Sequence, residues 1–327
     1  MKILVAPLNW GLGHATRCIP IIRHYLEQGD EVILGGDGDS LRLLQRTFPA
    51  LRCIDFPSLE LRYTTNAQQR GFYLRAIWAL MRFTIADHYY LRQTLAIEHF
   101  DMVISDNRFG CFSRDVRSVY ITHQLYPILP KRLRFFQPLA RALHARIYKR
   151  YNEVWVPDYP DPWHNLSGAL SHGGRYDGRV RYIGPLSRFG GNKMVSEPQG
   201  STVETCYSPS LALLSGLEPQ RTIFEHQLLE RFVASGEPLL LVRGKVSEVQ
   251  TVIKKGNITI LPFISDAELI TAVQQAHTII ARSGYSTIMD LASLGMLYKS
   301  ELHPTPGQSE QEYLAQYHAK FAYFPKK

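Results

Sequence analysis

Residues 2–36 read KILVAPLNWGLGHATRCIPIIRHYLEQGDEVILGG. KILVAPL is a short continuous apolar run, GLGHAT is a glycine-rich turn, CIPIIRHYLEQG has helical periodicity and closes on Gly29, and DEVILGG is a second short apolar run. Strand, turn, helix and strand make a βαβ unit, and apolar runs without polar alternation mark strands covered on both faces, as in parallel sheets. The alternation continues. SLRLLQRTFP (40–49) reads as a helix, RCIDFP (52–57) as a strand, and 68–99 as one long or two broken helices. DMVISDN (101–107), SVYITHQ (118–124) and EVWVPD (153–158) read as strands. Residues 1–160 are expected to form one doubly wound α/β domain.

Residues 161–205 are rich in Gly, Pro, Ser and Asp, with only RYIGP (181–185) looking structured, and read as a linker. The alternation then restarts over 206–327: strands at 210–216, 238–244, 257–263 and 277–284, and helices at 221–235, 265–276 and 286–294. The expected fold is two Rossmann-like α/β domains.

The chain has 327 residues, 45% hydrophobic and 20% charged, which excludes disorder and supplies a large core without disulfides. No run approaches the ~20 apolar residues of a spanning helix. The first residues lack the pattern of a signal peptide, and the four cysteines (18, 53, 111, 206) have no metal-like spacing, so a reduced, cytoplasmic chain is expected. The net charge is +8. It is uneven: residues 1–165 hold 21 Lys and Arg against 15 Asp and Glu, residues 166–327 hold 16 against 14. Within PKRLRFFQPLARALHARIYKRY (130–151) stand Lys131, Arg132, Arg134, Arg141, Arg146, Lys149 and Arg150, with no acid and with interleaved aromatic and aliphatic residues. Leu139, Leu143 and Ile147 follow helical spacing. Two readings stand: a basic amphipathic helix peripheral on an anionic membrane, or an Arg-rich helix with one face on its own domain. No nucleic-acid-binding motif accompanies the charge.

Ligands of open α/β sheets bind beyond the carboxyl ends of strands. Three such loops carry chemistry. In the first, Gly11 and Gly13 allow a tight turn and His14 lies at a helix start, placed to act as a general base or anion contact, with Arg17 close behind. In the second, Ser215 and Gly216 lead into a helix whose N–H groups suit phosphate, with Arg221 adding charge. In the third, Arg282, Ser283, Gly284, Ser286 and Thr287 form a candidate diphosphate cradle. Asp290 lies one turn into the next helix, placed to accept from vicinal hydroxyls. PTPGQSEQE (304–312) follows as a polar loop whose Gln308, Gln311 and Glu312 suit a hydroxyl-rich ligand.

RSGYSTIMDLASLG (282–295) followed by PTPGQSEQEYLA (304–315) resembles the donor domain of GT-B glycosyltransferases of the family-28 type, which includes the N-acetylglucosaminyltransferase acting on the lipid-linked peptidoglycan precursor. GLGHATR (11–17) resembles the family's N-terminal glycine-rich loop, and SGLEPQR (215–221) the first loop of its donor domain. The resemblance implies two domains facing a cleft and transfer from a nucleotide-sugar, a UDP-sugar above all, to an acceptor that is lipid-linked in that enzyme. The Arg-Ser-Gly turn would hold the diphosphate, Asp290 the ribose (in place of Glu), and Gln311 with Glu312 the sugar (in place of a Gln pair). The chain departs at MLYKSELH (296–303), where Lys299, Ser300 and Glu301 interrupt the family's apolar strand, so that strand is not expected in full.

The expected mechanism is inverting and metal-independent, without a cofactor. His14 is the first candidate base and Asp106 the second. Arg243 and Gly244 are expected to flank the nucleotide, and Phe263 and Ile264 to line the base pocket. Two alternatives stand beside transfer: a nucleotide-sugar hydrolase in which His14 activates water, and a non-catalytic nucleotide-sugar-binding protein.

Overall fold

A computed structural model describes residues 1–58, 70–174, 178–189, 210–216, 218–245 and 251–320, without the side chains of 70–76. The chain divides into two compact units: Met1–Arg188 with Gly307–Glu310, and Phe189–Pro306 with Gln311–Lys327. Each is built on a mainly parallel sheet.

The first unit runs β1 (Lys2–Pro7), α1 (Leu12–Glu27), β2 (Glu31–Gly36), α2 (Gly38–Thr47), β3 (Cys53–Asp55), α3 (Arg70–Ile97), β4 (Met102–Asp106), β5 (Arg117–Ile121), α4 (Gln137–Tyr148), β6 (Glu153–Val156), α5 (Ala169–His172) and β7 (Val180–Tyr182). The strand order is β3-β2-β1-β4-β5-β6-β7, and every pairing is parallel. The apolar run of β1 has its reason in two-sided burial. Ile3 and Val5 pack under Ala15, Ile19 and Ile22 of α1 and Leu44 of α2, while Leu4 and Ala6 pack on the opposite face with Leu91 of α3 and Val103 of β4. Each Ile, Leu or Val among them contributes about 1.5–3 kcal/mol by leaving water.

One boundary differs from the composition reading. Residues 161–188 belong to the first unit, and β7 closes its sheet by pairing Val154 with Val180. The polar residues there organise a buried turn. Asp158 accepts from the backbone N–H groups of Leu166 (2.8 Å) and Ser167 (2.9 Å). Polar, Gly- and Ser-containing sequence thus encodes a structured turn over 158–168, while 175–177 and 190–209, with Cys206, lie outside the described residues.

The second unit runs β8 (Ser210–Leu213), α6 (Gln220–Ser235), β9 (Leu239–Val242), β10 (Ile253–Lys255), β11 (Ile258–Leu261), α7 (Asp266–Gln275), β12 (Thr278–Arg282), α8 (Tyr285–Ser293) and β13 (Ser300–His303). α9 (Ser309–Ala319) follows, with its Ser309 and Glu310 grouped with the first unit. The order is β10-β11-β9-β8-β12-β13, with β10 alone antiparallel. β10 escapes a reading by apolar runs because its three residues are exposed at an edge.

The interrupted stretch 296–303 does form its strand: β13 pairs in parallel with β12 from Ile279–Ser300 to Arg282–His303. All four of its residues are half-buried, so the apolar pattern of a central strand is not required. Charge at an edge also discourages pairing with another chain. Glu301 pairs with Arg231 at 2.8 Å and with His303 at 2.8 Å.

Candidate active site

β1 ends at Pro7, and the chain turns at Gly11 into α1. Gly11 has φ +86°, a left-handed conformation that a Cβ would strain. The turn is anchored from below. Asn9 donates to Asp37 Oδ2 (3.1 Å), and Asp37 accepts from the buried Arg108 (3.0 Å), which also grips Asp87 (2.9 Å) and the Pro7 carbonyl (3.3 Å). This network, missed in the sequence, fixes the loop that carries His14. Apart from Asp87 of α3, its members stand at the carboxyl ends of β1, β2 and β4, which is the signal that could have found it.

In the first turns of α1, His14 and Arg17 face the end of β4. His14 Nδ1 lies 2.8 Å from Asp106 Oδ1 and 2.9 Å from Arg17 Nη2. Arg17 grips both Asp106 oxygens through Nε and Nη2, and its Nη1 lies 3.1 Å from His123 Nδ1. Arg17 and Asp106 are fully buried, whereas the His14 side chain is 16% exposed. No hydrogen bond among the described residues uses His14 Nε2. His123, just beyond β5, passes the network on to Glu310 at 2.6 Å, and Gln124 donates to the same carboxylate. His123 was not singled out from the sequence, and Glu310 was read only as part of the polar loop 304–312.

The electrostatics divide these groups. Burial pushes the His14 pKa below its ordinary value; Asp106 opposes this, and Arg17 reinforces it, so the imidazole is neutral near pH 7. Burial also disfavours the Asp106 carboxylate, but Arg17 and then His14 outweigh it and hold the pKa at about 2. Glu310 is likewise held ionised, His123 outweighing the cost of burial. Asp106 as second candidate base is therefore corrected: a fully buried carboxylate clamped by a guanidinium has neither access nor basicity. Arg17, expected on an acceptor-side loop, is a buried clamp within α1.

In the second unit, Ser215 and Gly216 follow β8, and Gly244 packs behind them: a Cβ there would meet the Leu214 carbonyl oxygen at 2.7 Å. The α6 N-terminus departs from expectation. Glu218 accepts from Arg221 Nη2 (2.7 Å), Thr222 Oγ1 (2.8 Å) and the Thr222 N–H (3.2 Å). A carboxylate thus stands where a phosphate was expected, and Arg221 is paired with it. Arg243 is spent on Glu225 at 2.5 Å. Ile264 is half-buried against the core cluster beneath α7, and Phe263 is half-buried beside it.

At the end of β12, Arg282 is buried and donates to the carbonyls of Pro304 (2.8 Å) and Gln220 (3.1 Å), while its Nε has no hydrogen-bond partner among the described residues. The Phe224 ring lies 4.0 Å from its guanidinium, and burial lowers its pKa to about 10. Ser283 spends its hydroxyl on the Gln311 carbonyl (2.8 Å) and its N–H on His303 (3.1 Å), so it braces the loop rather than offering a hydroxyl to phosphate. α8 starts at Gly284 without a side-chain cap, and no described residue other than its neighbours in the chain lies within 4 Å of the place a Cβ would occupy there. Ser286, Thr287 and Asp290 are half-buried on this helix. Gln311 caps the Thr305 N–H through Oε1 (2.9 Å), Glu312 is exposed, and Gln308 falls in the segment grouped with the first unit.

The sequence also holds one Asp-x-Asp, Asp37–Gly38–Asp39, a spacing able to hold a metal. Asp37 is used by Arg108 and Asp39 by Arg42 (3.0 Å). Among the described residues there is no group of three or more His, Cys, Asp or Glu arranged to hold a metal ion.

No protein-family model matches the chain. A protein of Methanosarcina acetivorans described as an uncharacterized glycosyltransferase is 26% identical over 95% of this chain and 82% of its own length. Among solved structures, the spinosyn rhamnosyltransferase SpnG complexed with thymidine diphosphate superposes with a TM-score of 0.58 at 12% identity, covering 98% of this chain and 90% of that one. MurG of Acinetobacter baumannii superposes with a TM-score of 0.52 at 13% identity, covering 97% and 83%. The chain is a glycosyltransferase of GT-B fold. This agrees with the GT-B expectation from 282–295 and 304–315. No helix among the described residues is long and apolar enough to cross a membrane.

Proposed function

We propose that this glycosyltransferase moves a sugar from a nucleotide-sugar, a UDP-sugar in the first instance, to an acceptor hydroxyl with inversion, His14 being the base. The observation that carries this reading is the His14–Asp106 pair at 2.8 Å, with one imidazole nitrogen engaged and the other unused among the described residues. We assign the proton of neutral His14 to Nδ1, because Asp106 is the neighbour able to accept it. Nε2 then keeps its lone pair for the acceptor proton, and Asp106 stabilises the imidazolium that forms. As the acceptor oxygen attacks the anomeric carbon, the bond to the nucleoside diphosphate breaks on the opposite side, which gives inversion.

The leaving diphosphate gathers charge, and the second unit supplies the matching features. α8 opens at Gly284 beside free space, and a helix N-terminus there favours an anion. The Arg282 guanidinium nearby is met by carbonyl oxygens rather than by a carboxylate. In this reading Asp290, one turn along α8, serves the ribose, and Gln311 and Glu312 serve the sugar. The family-28 kinship and a lipid-linked or otherwise anionic acceptor belong to the same proposal. The non-catalytic reading loses its one support, because β13 is formed.

The test is His14→Ala assayed with a panel of UDP- and TDP-sugars. Transfer is lost while nucleotide binding by calorimetry stays. Retained transfer removes His14 from the role, and sugar release at the wild-type rate without acceptor reassigns the reaction to hydrolysis.

A further inference from the structure

β4 ends on Asp106, and the next residue, Asn107, is the only one of the described residues other than glycine with a positive φ, +56°. That left-handed conformation strains most L side chains; glycine takes it freely and asparagine tolerates it. A bare turn would be served by glycine, so a side chain in this place points to a use. The turn around it is rigid. Ser105 Oγ and the Tyr151 hydroxyl both donate to the Arg108 carbonyl (2.7 and 2.8 Å). The Asn107 N–H donates to the Ile121 carbonyl (3.3 Å), and the Arg108 guanidinium is held by Asp37 and Asp87.

The amide of Asn107 is aimed as well. The Tyr120 hydroxyl, buried on β5, donates to Asn107 Oδ1 at 2.9 Å, and His144 Nε2 stands farther from the same hydroxyl, at 3.4 Å. Burial pushes the Tyr120 pKa up, so the phenol keeps its proton and stays a donor. With Oδ1 engaged, the amide presents Nδ2, which enters no hydrogen bond among the described residues and is not sealed from solvent. An amide nitrogen only donates, so its partner is an oxygen with a lone pair. The place is equally informative. Ile104 packs with Ala15 and Ile19 of α1, and Asp106, two residues on, meets His14 on that side. Tyr120 packs with Tyr148 and Ala145 of α4 on the opposite face and draws the Asn107 amide toward it. His14 and the Asn107 amide therefore flank the carboxyl end of β4, the end at which ligands of such sheets lie.

We propose that Asn107 holds the acceptor, its Nδ2 donating to a second acceptor oxygen while His14 takes the proton of the attacking hydroxyl. The acceptor class is one that carries a hydroxyl, ether or carbonyl oxygen near its reacting hydroxyl, as polyols and glycosides do. A single hydrogen bond to His14 leaves the acceptor free to turn about it. A second, fixed donor removes that freedom and aligns the attacking lone pair. Tyr120 is a positioning residue, acting through the amide it aims. The proposal rests on the reading of His14 as the base.

The experiment is steady-state transfer by the full chain, with the nucleotide-sugar that the UDP- and TDP-sugar panel selects. The acceptor probes are methyl glucoside, methyl galactoside and methyl mannoside, their monodeoxy forms, and cyclohexanol. Asn107→Gly suits the backbone at φ +56°, and Asn107→Asp keeps an acceptor for the Tyr120 hydroxyl. Each raises the acceptor KM about tenfold, the scale of one lost hydrogen bond, with nucleotide affinity within twofold and circular dichroism unchanged. Tyr120→Phe gives a smaller rise in KM with kcat retained. In the wild type one monodeoxy form shows the same tenfold loss, and Asn107→Gly no longer tells that form from its parent. A merely structural Asn107 would not produce that pairing. Unchanged acceptor KM and kcat in Asn107→Gly overturn the proposal. So does a wild type that uses cyclohexanol as well as the glycosides, or that uses no glycoside. Retained transfer in His14→Ala would instead remove the base, and the monodeoxy comparison would still decide the role of Asn107.

Discussion

The turn from β1 into α1 and the turn from β12 into α8 share one local plan, a parallel strand running through glycine into a helix, yet they carry different chemistry. The first presents side chains: His14, Arg17 and Asp106 form a buried, charge-balanced cluster. The second turns its side chains inward. Ser283 braces Gln311, Arg282 ties the loop to Pro304 and α6, and Gly284 opens the helix end. The difference teaches that proton transfer needs a titratable side chain held at a fixed pKa. Anion binding can be left to backbone amides, provided the neighbouring side chains keep the amides in place.

The largest effect that would break this contrast is at the first turn. His14→Ala is expected to lower the transfer rate about 100- to 10,000-fold, the range for loss of a general base, with nucleotide affinity within twofold by calorimetry. Next comes Asp106→Ala, which removes the acid from a buried guanidinium. Leaving such a charge unpaired costs about 3–5 kcal/mol, to be read as a lower midpoint in urea unfolding. Arg17→Ala, by contrast, should allow the Asp106 pKa to rise from about 2.

The third prediction sharpens the other side. Gly284 has ordinary negative φ and open space beside it, so Gly284→Ala should cost no more than about 1 kcal/mol of stability, the scale of placing Ala at an N-cap. It should nonetheless weaken nucleotide binding, because the methyl group enters the space proposed for the diphosphate. Equal affinity for the two proteins would contradict the backbone account.

The fourth concerns pH. The His14 pKa in the folded chain is lowered, chiefly by burial. The acid limb of the transfer rate should therefore have its midpoint below about 6.5, the ordinary histidine value. The unfolded chain binds the His14 proton more readily than the folded one. Its contribution to stability is thus unaffected above about pH 6.5 and becomes unfavourable as pH falls through and below that value. His14→Gln should remove that part of the acid sensitivity in paired urea titrations. The smallest effect is at the edge of the second sheet, where Glu301→Gln should cost no more than about 1 kcal/mol, since its partner Arg231 is half exposed.

The sequence exposes those parts of the molecule that obey periodicity. β1, β2, β4, β8, β9 and β12 are buried on both faces and so read as apolar runs, and each appears in the sheet where that reading puts it. Edges obey the rule less well: β3 reads as a strand, but β7, β10 and β13 are short and half-buried or exposed, so their residues resemble loops. The site was legible where a residue type is unusual for its place, as with His14 behind two glycines. It was illegible where partners come from distant strands. Nothing local in THQ (122–124) shows that His123 will meet Arg17, and nothing in LEPQR (217–221) shows that Glu218 will take the N–H and guanidinium reserved for phosphate.

The most direct test of the central claim is a single comparison of wild type and His14→Ala at saturating nucleotide-sugar, following sugar transfer over pH 5–9. The account predicts an acid limb below about 6.5 in the wild type and, in the variant, a rate at least ~100-fold lower with that limb gone. A variant that keeps the wild-type rate and the same limb would show that His14 is not the base.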